Sequence, residues 1–205
     1  MSLTQYEVGD LIINAEKLKV LMVLESPYVN EIIHNHPAAG ESALELTRLL
    51  TRKGYVPSFN PDVPVGCNIK ALNYAPLGIL NCSHFPMNAD AYPCGLPDNA
   101  QSQVDNLATL KQYFAPHHQP DVSITLANTA VFTDFSQRLT SVLRQNPNVA
   151  IIPCGQTASG FIDSFVATTD QSPNIIARLP HPTEDAWQHV ANTDLHAIID
   201  PAMLP

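Results

Sequence analysis

The stretch VLMVLESPYVNEIIHNHPAAGESA, residues 20–43, changes character at Glu25. Its first five residues are apolar and do not alternate with polar ones, which indicates a strand buried on both faces; we expect this strand at residues 17–24. A carboxylate, a serine and a proline follow directly, and a second acid, Glu31, stands six residues after the first. Strands buried on both faces belong to parallel sheets covered by helices. The stretch therefore predicts an α/β protein with reactive groups at a strand end.

The rest of the chain alternates between apolar runs and helical periodicity. Apolar runs predict further strands at residues 67–80, 148–155 and 174–181, and helical spacing predicts helices at residues 42–53, 101–114, 127–144, 156–167 and 184–198. This alternation predicts a three-layer α/β/α sandwich around a central, mainly parallel four-stranded sheet. Because the chain has no internal repeat and no composition break, we expect residues 1–205 to form a single domain.

Composition and charge narrow the classes of function. The 205 residues are 45% apolar and 14% charged, which is typical of a globular protein. The formal charge of -9 argues against broad, sequence-independent binding to nucleic acid, which depends on neutralising phosphates. An apolar run of membrane-spanning length and a secretion signal are both lacking, so we expect no membrane partner and a cytoplasmic location. The four cysteines form no C-x-x-C pair, so we expect free thiols.

Polar stretches lie at the ends of the four predicted strands: ESPY, NYAP, CGQT and HPT, where NYAP marks the point at which the second strand opens at Asn73 and Pro76. In open parallel sheets, ligands bind beyond the carboxyl ends of the strands. The sequence therefore predicts a binding or catalytic site where these four stretches meet.

Three side chains in these stretches each have a functional and a structural interpretation. Glu31 could share acid and base chemistry with Glu25, or it could cap a helix or form a salt bridge. The carboxamide of Asn73 could bind the edge of a nucleobase, or it could complete a turn. His181 could donate a hydrogen bond to developing negative charge, or it could be a core histidine whose hydrogen bonds are satisfied.

Two other patterns are weaker. Ser26 is not surrounded by the G-x-S-x-G pattern of a nucleophile elbow, which argues against a serine hydrolase. His34 and His36 lack a matched third ligand, so we interpret them as surface loop residues and predict no metal site.

Taken together, these motifs resemble those of the uracil-DNA glycosylase superfamily. Thermophile-type members have a strand that ends in Gly-Glu-Ala-Pro-Gly, a second acid six residues after the first, and then a proline and a glycine. The residues at those positions here are Glu25, Pro27, Glu31, Pro37 and Gly40. LNYAP resembles the second motif, IIPCGQTA the strand and turn before the last motif, and LPHPT the last motif itself.

The resemblance implies a hydrolase that cleaves the N-glycosidic bond of an extruded uracil or other deaminated base in DNA during base-excision repair. It implies that Asn73 reads the base, that His181 stabilises the departing base anion, and that Glu31, with Glu25, acts on water or on the sugar. It further implies a substrate pocket formed by Ser26, Pro27, Tyr28, Gly40 and Ser42. No cofactor is expected, since the iron-sulfur cluster of the thermophilic branch needs an early C-x-x-C that this chain lacks.

The sequence departs from the family at several positions. Ser26 stands where the best-studied branch has an aspartate, and Ala38 where members place an aromatic that stacks on uracil, which leaves Tyr28 or Tyr74 for that role. Trp187 after the last motif suits a core position better than a DNA wedge. Three hypotheses remain open: a glycosylase acting on DNA, a divergent member that binds a free nucleobase, nucleoside or nucleotide, and a catalytically silent interaction protein.

Overall fold

The computed structural model describes residues 3–52, 54–56, 58–92, 95, 101–114 and 129–182. Within these residues the strands are β1 (Val20–Leu24), β2 (Leu77–Asn81), β3 (Ala150–Pro153) and β4 (Asn174–Ile175). The α-helices are α1 (Val29–His34), α2 (Ser42–Arg52), α3 (Val65–Leu72), α4 (Gln101–Tyr113), α5 (Ala130–Gln145) and α6 (Gln156–Thr168). Short 3-10 helices occur at Leu3–Tyr6, Ala15–Lys17 and Ala89–Ala91. None of the described helices is long and apolar enough to cross a membrane.

The four strands form one sheet in the order β2-β1-β3-β4, and every pairing is parallel. Met22 in the central strand β1 lies opposite Ile79 of β2 and Ile152 of β3. Every residue of β1, β2 and β3 is buried, as their unbroken apolar runs predict. Parallel pairing brings the carboxyl ends of all four strands to the same edge of the sheet.

Each face of the sheet carries its own apolar cluster. Met22 packs into a cluster with α2 and α3, whereas Leu21 and Val23 pack into a cluster that includes Phe135 of α5 and Phe161 of α6. The protein is thus an α/β fold with helices on both faces of an all-parallel sheet, as the sequence predicts.

Most predicted elements occur with shifted ends. The strands predicted at residues 17–24 and 148–155 are β1 and β3, and the predicted helices at residues 42–53, 101–114, 127–144 and 156–167 are α2, α4, α5 and α6. The strand predicted at residues 174–181 is reduced to β4 and one bridge between Leu179 and Cys154. Helix α1 is an addition to the predicted elements, since the sequence analysis interprets its last residue, His34, as part of a surface loop. The helix predicted at residues 184–198, with Trp187, lies outside the described residues.

The strand predicted at residues 67–80 is wrong. This segment contains the end of helix α3, a left-handed turn at Asn73 with φ of 50°, and then β2. Val65 and Ile69 are buried at the i, i+4 spacing of a helix, and the strand interpretation merged the later residues of this helix, from residue 67 on, with the apolar residues of β2. Asn73 therefore lies at the amino end of β2, on the edge of the sheet opposite to the predicted site.

Candidate functional site at the carboxyl edge of the sheet

Glu25 follows the last residue of β1, and its carboxylate is held by two helices. Lys111 of α4 lies with its Nζ 2.8 Å from Oε1, and the hydroxyl of Thr157 in α6 donates to Oε2 over 2.9 Å. The side chain of Glu25 is only 12% exposed. A carboxylate so nearly buried requires partners of this kind, because burial of an unpaired charge is strongly unfavourable.

His181 lies beside Glu25 after the bridge that joins Leu179 to Cys154. Gly155 allows this approach: its φ of +91° suits glycine, and a Cβ at this position would lie 3.0 Å from the Cβ of His181. Burial lowers the pKa of His181, the neighbouring carboxylate of Glu25 raises it, and the ammonium of Lys111 lowers it. The net lowering favours a neutral imidazole, which can donate one hydrogen bond and accept another.

Glu25 and His181 line an open cleft of about 970 Å³. Its walls come from α4, the start of α6 and the segment before His181. The other lining residues include Asn88, Lys111, Gln156, Thr157 and Arg178. The cleft thus combines a fixed carboxylate and a neutral imidazole with exposed polar and basic groups.

The polar residue at the carboxyl end of β2 is Asn81. Its backbone is fixed from both sides, because its N–H donates to Oδ1 of Asp10 over 3.3 Å and its carbonyl accepts from Arg138 over 3.0 Å. Its side chain is 1% exposed, and neither the amide nitrogen nor the amide oxygen has a hydrogen-bond partner among the described residues. Buried carboxamides in this state are rare and require an explanation. Asn73, the predicted base reader, is exposed at the opposite edge.

Glu31 forms part of the backbone scaffold of the loop between α1 and α2. Its Oε2 accepts the N–H of Tyr28 over 2.6 Å, and its Oε1 accepts the N–H of Ala38 over 3.0 Å. Burial raises the pKa of Glu31 and these two hydrogen bonds partly oppose that effect. Glu31 does not line the cleft with Glu25 and His181, so the structure matches the capping interpretation.

The predicted pocket residues lie in two groups. Ser26 accepts the N–H of Met87 over 3.2 Å, and Pro27 is buried, so both fix the loop after β1. The side chain of Tyr28 is 49% exposed. Gly40 and Ser42 frame the start of α2, where the carbonyl of Gly40 accepts from Ala43. None of these five residues lines the cleft.

The remaining candidates have structural positions. The ring of Tyr74 packs edge-on against Phe59 at 5.1 Å beside the core, and Tyr28, the other predicted stacking residue, does not line the cleft. His34 is exposed as expected, but His36 is buried and its Nε2 lies 3.7 Å from Sγ of Cys67. The described residues contain no cluster of three or more histidine, cysteine or acidic side chains that could hold a metal. Thr183, in the last motif, lies outside the described residues.

Sequence reasoning missed Asn81 and Lys111, and it placed Thr157 at the site only as part of the stretch CGQT. Asn81 had a usable signal, since it is the first polar residue after the apolar run LGIL, as Glu25 is after VLMVL. Lys111 had none, because only the packing of α4 against the sheet brings it to Glu25.

The carboxyl edge of the sheet therefore brings together two of the predicted residues, Glu25 and His181. Asn81 and Lys111, which the sequence analysis did not indicate, lie at the same edge. Glu31 and Asn73 are used elsewhere in the fold. The sequence matches no protein-family model and no curated protein.

Proposed function

We propose that the protein has a uracil-DNA glycosylase-like fold and hydrolyses the N-glycosidic bond of an extruded uracil or other deaminated base. The observation that carries this proposal is the buried, unpartnered carboxamide of Asn81 at the strand ends that bear Glu25 and His181. The resemblance of the first and last sequence motifs to that superfamily supports it.

Asn81 has the chemistry of a base reader. A carboxamide offers a donor and an acceptor side by side, which complements a base edge that presents an acceptor and a donor. Leaving both atoms unpaired costs about 1–3 kcal/mol for each buried group, and a bound base would remove that penalty. We therefore assign to Asn81 the role that the sequence analysis gave to Asn73.

The position of Asn81 agrees with a base lying across the strand ends. The register pairs Asn81 with Leu24, the residue before Glu25. Side chains alternate along a strand, so Asn81 points to the same face of the sheet as Ile79, whereas Glu25 contacts the helices of the other face. A base held at this edge has Asn81 on one side and Glu25 with His181 on the other. Because Asn81 is 1% exposed, the residues that cover it must move apart when a base enters.

The proposed reaction uses the two cleft residues. A water molecule adds its oxygen to C1′ of the sugar, the C1′–N bond breaks, and the bonding electron pair leaves with the base. Glu25 accepts a proton from the water and stabilises the positive charge that develops on the sugar. His181, as a neutral imidazole, donates a hydrogen bond to the base anion, which finally takes up a proton.

Glu31 has a scaffolding role in this proposal. Both of its oxygens accept backbone N–H groups, and unlike Glu25 it does not line the cleft. Water activation therefore falls to Glu25.

A second candidate function is the binding or hydrolysis of a free nucleobase, nucleoside or nucleotide. The formal charge of -9 favours it, because a small substrate needs far fewer phosphate contacts than a DNA strand does.

An oligonucleotide assay tests the proposal. Single- and double-stranded oligonucleotides that contain uracil or hypoxanthine are incubated with the protein, and abasic sites are detected by alkaline strand cleavage. We expect cleavage at the modified base, with a loss of at least about 100-fold in Asn81→Ala, His181→Ala and Glu25→Gln, the size typical of lost acid–base or electrostatic groups. Asn73→Gly is the matched control and should retain activity, since glycine is well suited to the left-handed turn there.

Two results would contradict this assignment. Full activity of Asn81→Ala, or loss of activity in Asn73→Gly, would return the base-reading role to Asn73. If no oligonucleotide is cleaved but uridine or deoxyuridine is hydrolysed or bound, the second candidate function replaces the first.

A further inference from the structure

Lys111 is a basic residue in the lining of the cleft that the proposed reaction does not use. It lies near the end of α4, and its Nζ contacts Oε1 of Glu25 at 2.8 Å and Oδ1 of Asn88 at 3.4 Å. Its side chain is 36% exposed, so it forms a wall of the cleft. Lys111 thus reaches the strand end from a helix that packs on one face of the sheet.

The contact with Lys111 is one of two that fix the Glu25 carboxylate. Lys111 engages one oxygen, and the hydroxyl of Thr157 in α6 engages the other. A carboxylate bound at both oxygens by two different helices has little rotational freedom. Lys111 and His181 both line the cleft with Glu25.

We propose that Lys111 is a positioning residue of this site: its ammonium fixes the Glu25 carboxylate in the cleft and offsets the negative charge that this carboxylate presents to the neighbouring imidazole of His181. This inference extends the proposed glycosidase function, and it rests on that function only for the identity of the substrate.

The charges around His181 support this role. Burial lowers the pKa of His181, Glu25 raises it and Lys111 lowers it, so the two charges act in opposite directions. Arg178, which also lines the cleft, is paired with Asp163 of α6. The thiol of Cys154 is neutral, because burial raises its pKa far above the ordinary value. Without Lys111, only burial would oppose the effect of the Glu25 carboxylate, and the imidazole of His181 would become more basic.

The charge of His181 matters for the proposed chemistry, because an uncharged imidazole and a charged one behave differently beside Glu25. A protonated His181 would form an ion pair with the carboxylate and withdraw both groups from the substrate. A neutral His181 leaves the carboxylate available to water and keeps its own N–H for the departing base. Lys111 therefore adds to burial, the larger cause, in extending the pH range of the pair towards acid.

Titration of His181 by NMR tests the inference without any substrate. The imidazole resonance is assigned by its absence in His181→Gln and is followed against pH in the wild type, Lys111→Met and Lys111→Arg. We expect the midpoint to move to higher pH in Lys111→Met and to stay near the wild-type value in Lys111→Arg. Lys17→Met is the matched control, since it removes the same charge from an exposed residue before the amino end of β1. It should leave the midpoint unchanged.

A double variant identifies the partner. If Lys111 acts through Glu25, the upward movement caused by Lys111→Met should largely disappear in the Glu25→Gln background. Thermal unfolding checks that each variant folds, and Lys111→Gln replaces Lys111→Met if the latter does not. An unchanged midpoint in folded Lys111→Met or Lys111→Gln overturns the inference, and so does an equal shift in Lys17→Met.

Activity measurements distinguish a failure of this inference from a failure of the proposed function. If the oligonucleotides are cleaved, the acidic limb of the pH–rate profile should move to higher pH in Lys111→Met and not in Lys17→Met. If the His181 midpoint shifts but no oligonucleotide or nucleoside is cleaved, the proposed function fails and the positioning role of Lys111 stands.

Discussion

Glu31 is a single residue whose carboxylate could be either catalytic or structural. Its spacing from Glu25 fits a catalytic pair, but the sequence is equally compatible with a carboxylate that caps a helix. In the fold, its oxygens accept the N–H groups of Tyr28 before α1 and Ala38 in the loop after it, ten residues apart along the chain. The loop needs this anchor because Ala38 has a φ of 54°, a conformation that non-glycine residues seldom adopt.

Replacement of Glu31 should therefore destabilise the protein. We expect Glu31→Ala to lower the free energy of unfolding by about 1–3 kcal/mol, because two backbone N–H groups lose their acceptors. Urea denaturation at pH 7 measures the change. Glu41→Ala, at an exposed residue of the same loop, should change stability by no more than about 0.5 kcal/mol. Equal effects of the two substitutions would argue against the anchoring role.

Helix α3 is the element that the sequence interpretation assigned wrongly, and its packing explains its position. The N–H of Gly66 donates to the carbonyl of Ala38 over 2.9 Å, so the first turn of α3 lies directly on the loop that Glu31 anchors. A Cβ on Gly66 would collide with the carbonyl oxygen of Pro37. The helix and the loop can approach this closely only because residue 66 has no side chain.

Gly66→Ala should show whether this close contact or helix propensity has the larger effect on the free energy of unfolding. Propensity alone would make alanine more stable in a helix by up to about 1 kcal/mol. We expect instead a loss of about 1–3 kcal/mol in the free energy of unfolding, because backbone must shift to admit the methyl group. Gly9→Ala, with open space around its Cβ, should be close to neutral in the same urea denaturation experiment. A stabilised Gly66→Ala would contradict the described packing.

Arg138 connects parts of the whole molecule that are distant in sequence. From α5 it binds both carboxylate oxygens of Asp10 in the N-terminal segment, at 2.8 and 3.0 Å. The same guanidinium donates to the carbonyls of Asn81 and Cys82 at the end of β2. It thereby joins the N-terminal segment, the sheet and one helical layer next to the proposed base-reading residue.

Loss of this connection should have a large effect on global stability. We expect Arg138→Met to lower the free energy of unfolding by about 3 kcal/mol or more, because it leaves Asp10 largely buried without its main cationic partner. Asp134→Asn removes the exposed partner of the same arginine and should cost less than about 1 kcal/mol. Urea denaturation of both variants provides the comparison. Similar losses would show that the contacts of Arg138 with Asp10 and β2 are not the stabilising ones.

The sequence by itself determined the α/β class, the central strand β1, four of the helices and the two site residues Glu25 and His181. Unbroken apolar runs, helical spacing and the first polar residue after a strand are local signals, and they depend little on the rest of the chain. Only the tertiary structure decided that residues 67–72 are helical and that Asn81, not Asn73, stands at the carboxyl edge of the sheet. Only the packing of α4 and α6 over that edge brings Lys111 and Thr157 to the carboxylate of Glu25. These contacts join residues 86 and 132 positions apart, and such distant pairings are set by how the layers pack rather than by any local pattern.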